Sequence, residues 1–205
     1  MHLVYIHGAM ANGKCLHFLR SQFDQNSSTV IEYDYTRNFS DNLDDMLATL
    51  ANKSDLFFIA HSLGGIYALH LADRLKTQTR GGITMSTPYG GSQTAVYLQR
   101  LPLFNLTQLI KDLGPASKIM LNSQAIRLTV PWANLITTAG HFFIIGEPND
   151  GVITTTSMRY RNDIQHIEID QNHYDVLYSM TTVKYIAMHI IACANINIEK
   201  LENAS

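Results

Sequence analysis

A serine hydroxyl becomes a useful nucleophile when a neutral imidazole takes its proton and a carboxylate fixes the imidazole's tautomer and steadies its cation. Ser62, Asp150 and His173 are the three positions in this chain that offer such a set. Ser62 sits in the stretch LFFIAHSLGG, from Leu56 to Gly65. Leu56 to Ala60 is a continuous apolar run of the length of a strand buried on both faces. From Ile66 the apolar residues fall at helical spacing. Strand, sharp turn and helix with serine at the apex make a nucleophile elbow. The strained turn brings the backbone two residues either side of the serine close to its neighbours, so those positions must be small. Here they are Ala60 and Gly64, and Ala60 departs from the usual glycine by one methyl group.

Asp150 lies in the loop Glu147-Pro148-Asn149-Asp150-Gly151-Val152-Ile153, after a strand predicted over His141–Gly146. Glu147 shares the loop, but Asp-Gly-Val-Ile offers a turn that presents a carboxylate. His173 lies in the polar loop Asp170–Asp175, between a strand predicted over Ile164–Ile169 and a final helix over Val176–Ala192. Of nine histidines, His61 adjoins the serine and cannot easily fold back on it. His7 shapes a turn near the first strand, and His141 and His166 lie within strands. Asp175 suits a helix N-cap or a first-turn acid. All three candidates then follow strands, at the edge where ligands bind in open α/β sheets.

The remaining elements must hold that edge together. Leu3–Ile6 and Thr29–Tyr35 read as strands. Asn12–Phe23 carries a helical apolar stripe, and a helix capped by Ser40 or Asp41 runs through Leu43, Met46, Leu47 and Leu50. The helix after Ser62 reaches about Lys76, and Gly82–Ser86 is another short strand. This alternation predicts a parallel sheet covered on both faces. Residues 89–139 interrupt it with helix-like pieces broken at Pro102, Gly114-Pro115 and Pro131. The middle piece has Leu103, Phe104, Leu106, Leu109, Ile110 and Leu113 as a broad apolar face. It reads either as a cap over the site or as ordinary helices packed on the sheet. The segment after Ala194 reads as a frayed tail.

The chain has 205 residues with 46% apolar and 16% charged, a globular composition fit for one domain with a sizeable core. The net charge of −2 gives no case for nucleic acid or an anionic membrane surface. No apolar run reaches spanning length, and the first strand leaves no room for a signal peptide. Cys15 and Cys193 lack metal-ligand spacing and read as thiols of a reducing compartment. The expectation is a cytoplasmic protein. Gly8-Ala9-Met10-Ala11-Asn12-Gly13 lacks the second glycine of a dinucleotide fingerprint.

The chain resembles the α/β-hydrolase superfamily, in its lipase and esterase branch. HGAM (His7–Met10) is similar to an oxyanion loop and AHSLGG (Ala60–Gly65) to the lipase elbow. STPYGGS (Ser86–Ser92) resembles a TPNHGS-type segment, with Tyr89-Gly90 where Asn-His is usual. NDGVI and NHYDV resemble the acid and histidine loops, and the chain order Ser, Asp, His is the expected one. The resemblance implies a compact α/β fold in a single domain, 1–205, with a mostly parallel sheet of about six strands and a helical cap insert at about 89–139. It implies a small-molecule ester or lipid-like substrate cleaved through an acyl-enzyme, with no metal or organic cofactor. It also implies oxyanion donors at the amides of Ala9, or failing that Met10, and Leu63. An acyltransferase, thioesterase or amidase would use the same residues, and a non-catalytic binding domain would keep the fold without the reaction.

Overall fold

The computed structural model describes residues 1–92, 112–143 and 146–202, with side chains as far as residue 195. Six strands form one sheet: β1 (His2–Ile6), β2 (Ser28–Ile31), β3 (Leu56–His61), β4 (Thr79–Met85), β5 (Trp132–Thr137) and β6 (Gln165–Ile169). Their order is β2-β1-β3-β4-β5-β6 and every pairing is parallel. The helices are α1 (His17–Ser21), α2 (Phe39–Leu50), α3 (Leu63–Arg74), α4 (Lys118–Ala125), α5 (Thr155–Met158) and α6 (Met180–Glu202). Short 3-10 turns at Gly13–Leu16 and Asp175–Tyr178 precede α1 and α6. The expected α/β architecture is therefore present.

Alternation along the strands divides the core between the two sides of the sheet. Phe58 and Ala60 of β3, with Val4 and Ile6 of β1, pack against Leu43 and Met46 of α2, Leu69 of α3 and Met120 of α4. Phe57 and Ile59, with Leu3 and Tyr5, pack against Leu16, Leu19 of α1 and Ile186 of α6. β3 is thus buried on both faces along its whole length, which accounts for its unbroken apolar run. α2 serves one side only and shows Phe39, Leu43, Met46 and Leu50 as a single buried stripe.

Several boundaries differ from expectation. The fifth strand is Trp132–Thr137, not His141–Gly146. Buried Asn134 and Thr137 interrupt the apolar run of β5, and each has long-range hydrogen-bond partners that no local pattern reveals. His141 and Phe143 are exposed in the loop beyond it, while Ile144 and Ile145 lie outside the described residues. The insert expected over 89–139 accordingly gives way to the sheet at Trp132, and its apolar stretch Leu103–Ile110 lies outside the described residues. The Asn12–Phe23 helix is a 3-10 turn followed by short α1. α2 begins one residue before Ser40 with Asn38 at its cap, so neither Ser40 nor Asp41 caps it. The final helix starts at Met180, later than expected, and continues past Ala194. Among the described residues no helix is long and apolar enough to cross a membrane.

Phe58 is fully buried, so Phe58→Ala should cost about 3–5 kcal/mol of stability. Urea denaturation should show a lower midpoint with an unchanged m-value.

Candidate active site

β1 pairs with β2 on one side and β3 on the other, so the chain's winding reverses between β1 and β3. That is the switch point at which an open α/β sheet leaves a crevice above its carboxyl ends. The loop after β1 and the turn after β3 meet there. Ser62, at the turn, has φ 51° and ψ −122°, a conformation an L-residue adopts only under constraint. Its amide donates to the Met85 carbonyl of β4 at 2.9 Å, which anchors the turn to the next strand. A Cβ on Gly64 would lie 2.4 Å from the His7 carbonyl oxygen and 2.5 Å from that of Ile6. Glycine at 64 is therefore required by the backbone of β1. Ala60 occupies a regular strand position opposite Ile6 and Thr84, where a methyl group fits.

The loop from Gly8 to Met10 abuts this turn. A Cβ on Gly8 would lie 3.1 Å from Cβ of Ser62 and 2.9 Å from Nδ1 of His61. Met10 has φ 56°. His7 Nδ1 lies 2.8 Å from the Gly8 carbonyl and so carries the hydrogen; its ring stacks on Tyr33 at 4.3 Å. Burial lowers the pKa of His7, keeping the ring neutral. Leu63 opens α3, where the first amides of a helix have no intrahelical acceptor.

Asp150 and His173 come together in the loops after β5 and β6. Oδ2 of Asp150 accepts from Nδ1 of His173 at 2.8 Å and from Oγ1 of Thr137 at 2.6 Å. Oδ1 accepts from the amides of Val152 at 3.0 Å and Ile153 at 2.7 Å. All four acceptor positions of this buried carboxylate are thus filled. Because a carboxylate only accepts here, His173 carries a hydrogen on Nδ1, so in the neutral imidazole Nε2 is bare. The two loops are also clipped by their main chains, His173 N–H donating to the Asp150 carbonyl at 3.0 Å. Burial would raise the Asp150 pKa, but the hydrogen bond and charge of His173, with the amide and hydroxyl donors, outweigh it and hold it below 3.8. Glu147 is exposed and has no part in this cluster. Asp175 is exposed and accepts from Asn172 Nδ2 at 2.6 Å.

Two supporting side chains escape a reading of the sequence. Thr137 ends β5, in a stretch expected to belong to the insert, and its hydroxyl hydrogen is committed to Asp150. Ser86 Oγ, 2.8 Å from Thr137 Oγ1, then donates to it. Ser86 has φ 52° and is fully buried. A polar residue at the carboxyl end of each of two buried strands was the available signal. His61 also contributes: its Nε2 lies 2.8 Å from the His173 carbonyl oxygen. Among the described residues no group of three or more His, Cys, Asp or Glu side chains could hold a metal ion.

No protein-family model matches the chain, and no curated protein matches it by sequence. Solved structures do match it in three dimensions. The mature lipase BlEst2 of Bacillus licheniformis superposes with a TM-score of 0.69 at 15% identity, over 92% of this chain and 91% of that one. The fold is that of the α/β-hydrolases. A structure from the metagenome-derived lipolytic enzymes LipS and LipT gives a TM-score of 0.68 at 12% identity, over 95% and 93% of the two chains. A thermophilic esterase from Thermogutta terrifontis gives 0.61 at 13%, over 94% and 90%. As an α/β-hydrolase fold, the chain places Ser62 after β3, Asp150 after β5 and His173 after β6, all at the carboxyl edge.

The lowered pKa of Asp150 gives the cluster a signed pH dependence. A carboxyl whose folded pKa is depressed adds stability above its unfolded value and loses it as pH falls through the folded one. Asp150→Asn replaces one acceptor with a donor and should cost about 1–3 kcal/mol at neutral pH. The melting-temperature gap to the unaltered protein should narrow once pH drops below 3.8.

Proposed function

We propose that the protein is a serine hydrolase that cleaves a carboxylic ester through an acyl-enzyme. Ser62 is the nucleophile, His173 the general base and acid, and Asp150 the group that holds the imidazole. The observation that carries this reading is the 2.8 Å bond between Asp150 and His173 Nδ1, which directs the proton-accepting nitrogen away from the carboxylate. The constrained backbone at Ser62, at the same edge of the sheet, and structural neighbours named as lipases and esterases support it.

In the first step Nε2 of His173 takes the Ser62 proton as Oγ attacks the ester carbonyl. The amides of Leu63 and Ala9 receive the developing oxyanion, and one such donor supplies about 3 kcal/mol. Asp150 stays ionised, stabilises the imidazolium and keeps its tautomer. His173 then protonates the departing alcohol, and a water repeats the sequence on the acyl-enzyme. No metal or organic cofactor takes part. The substrate is a small ester or a lipid-like one, drawn from an aqueous, cytoplasmic phase.

Ser62→Ala should remove turnover of a short p-nitrophenyl ester while leaving the circular dichroism and melting temperature near those of the unaltered protein. A fluorophosphonate probe should label Ser62 and no other residue. Retained ester turnover in Ser62→Ala would overturn the assignment, and absence of labelling would favour a non-catalytic binding domain. Product analysis with competing alcohols, thiols and amines separates hydrolysis from acyl transfer. Rates along an acyl-length series, measured below and above substrate aggregation, should rise abruptly for a lipase and smoothly for an esterase.

A further inference from the structure

His61 belongs to the elbow motif by position, yet its side chain makes its specific contact 112 residues further along the chain. Nε2 lies 2.8 Å from the main-chain carbonyl oxygen of His173. A carbonyl only accepts, so Nε2 carries the hydrogen and Nδ1 is bare. That Nδ1 is buried without a hydrogen-bond partner. It faces the loop after β1, where a Cβ on Gly8 would come within 2.9 Å. The ring of His61 also stands 4.8 Å from the ring of His173, tilted by 57°. One side chain therefore touches the oxyanion loop and the histidine loop while its own backbone leads directly into Ser62.

Count what holds His173. Its amide donates to the Asp150 carbonyl at 3.0 Å, and its Nδ1 donates to the Asp150 carboxylate at 2.8 Å. Both restraints come from the loop after β5. Neither refers the imidazole to β3, where Ser62 lies. The bond from His61 to the His173 carbonyl supplies that reference.

We propose that His61 is a positioning residue that ties the peptide of His173 to the elbow and so sets the approach of the imidazole to the Ser62 hydroxyl. This rests on the reading of Ser62 as nucleophile and His173 as base. The role requires a ring that stays neutral while His173 becomes cationic during turnover. Burial first, then the proximity of His173, lowers the pKa of His61 to about 3, so the ring is uncharged at neutral pH. A neutral donor also exerts no repulsion on the imidazolium.

The test compares His61→Phe, which keeps the ring volume and loses the donor, with His61→Gln, which keeps an N–H at similar reach. His61→Phe should lower kcat roughly 10²-fold, the scale of a small misplacement of a reacting group. KM should change little, and fluorophosphonate labelling of Ser62 should slow in proportion. His61→Gln should recover most of that loss. The proton on His173 Nδ1, followed by NMR, should keep its strongly downfield resonance in both variants, because its bond to Asp150 is untouched. His61→Leu replaces His61→Phe if the latter does not fold. Full activity in the folded Phe or Leu variant would overturn the proposal. So would an equal loss in the Gln variant accompanied by a matching fall in melting temperature, which marks a packing role. Ser62→Ala, assayed alongside, keeps the two failures apart: its persistence of activity sinks the catalytic reading itself, whereas its inactivity beside a fully active His61→Phe sinks only the positioning role.

Discussion

A buried carboxylate with every acceptor position occupied governs the geometry of this edge of the sheet. Asp150 joins β5 through Thr137, its own turn through Val152 and Ile153, and the loop after β6 through His173. An ionised group this far from water is tolerable only when its partners are complete, since each missing one leaves charge uncompensated in a poorly polarisable medium. The completeness is achieved largely by main-chain amides and a threonine, whose positions the strands dictate. The imidazole is then the one partner that keeps a second ring nitrogen, Nε2, not engaged by the carboxylate.

A second constraint is steric. β1 passes so close to the start of α3 that only glycine fits at 64, and the turn that results holds Ser62 at φ 51°. Such strain costs about 1–3 kcal/mol. It is sustained by β3 and α3, which are buried almost throughout. The elbow is thus rigid because both of its arms belong to the core.

Much of this was legible in the amino-acid order, for reasons that differ by element. β3 declared itself because a strand covered on both faces must be apolar without interruption, and the small residues around Ser62 followed from the crowding of a tight turn. Asp150 stood out from Glu147 because Asp-Gly forms a turn that points a short carboxylate inward. β5 did not declare itself. Its Asn134 answers to Thr84 and to the Met158 carbonyl, and its Thr137 to Asp150, so its polar residues read as surface when they are interior. The Phe-rich segment just beyond offered a stronger apolar signal while leaving Phe143 78% exposed. The tie from His61 to the His173 loop was not legible because its partner is a peptide carbonyl, a group every residue carries and no motif marks.

The strand order carries a consequence for synthesis. β1 to β4 lie side by side in the sheet and are complete by Met85, so during synthesis Ser62 and the four strands around it precede Asp150 and His173. Asp150 and His173 follow later, in the loops after β5 and β6, which dock at one flank. A growing chain can therefore shape the constrained turn at Ser62 before the Asp150–His173 pair exists.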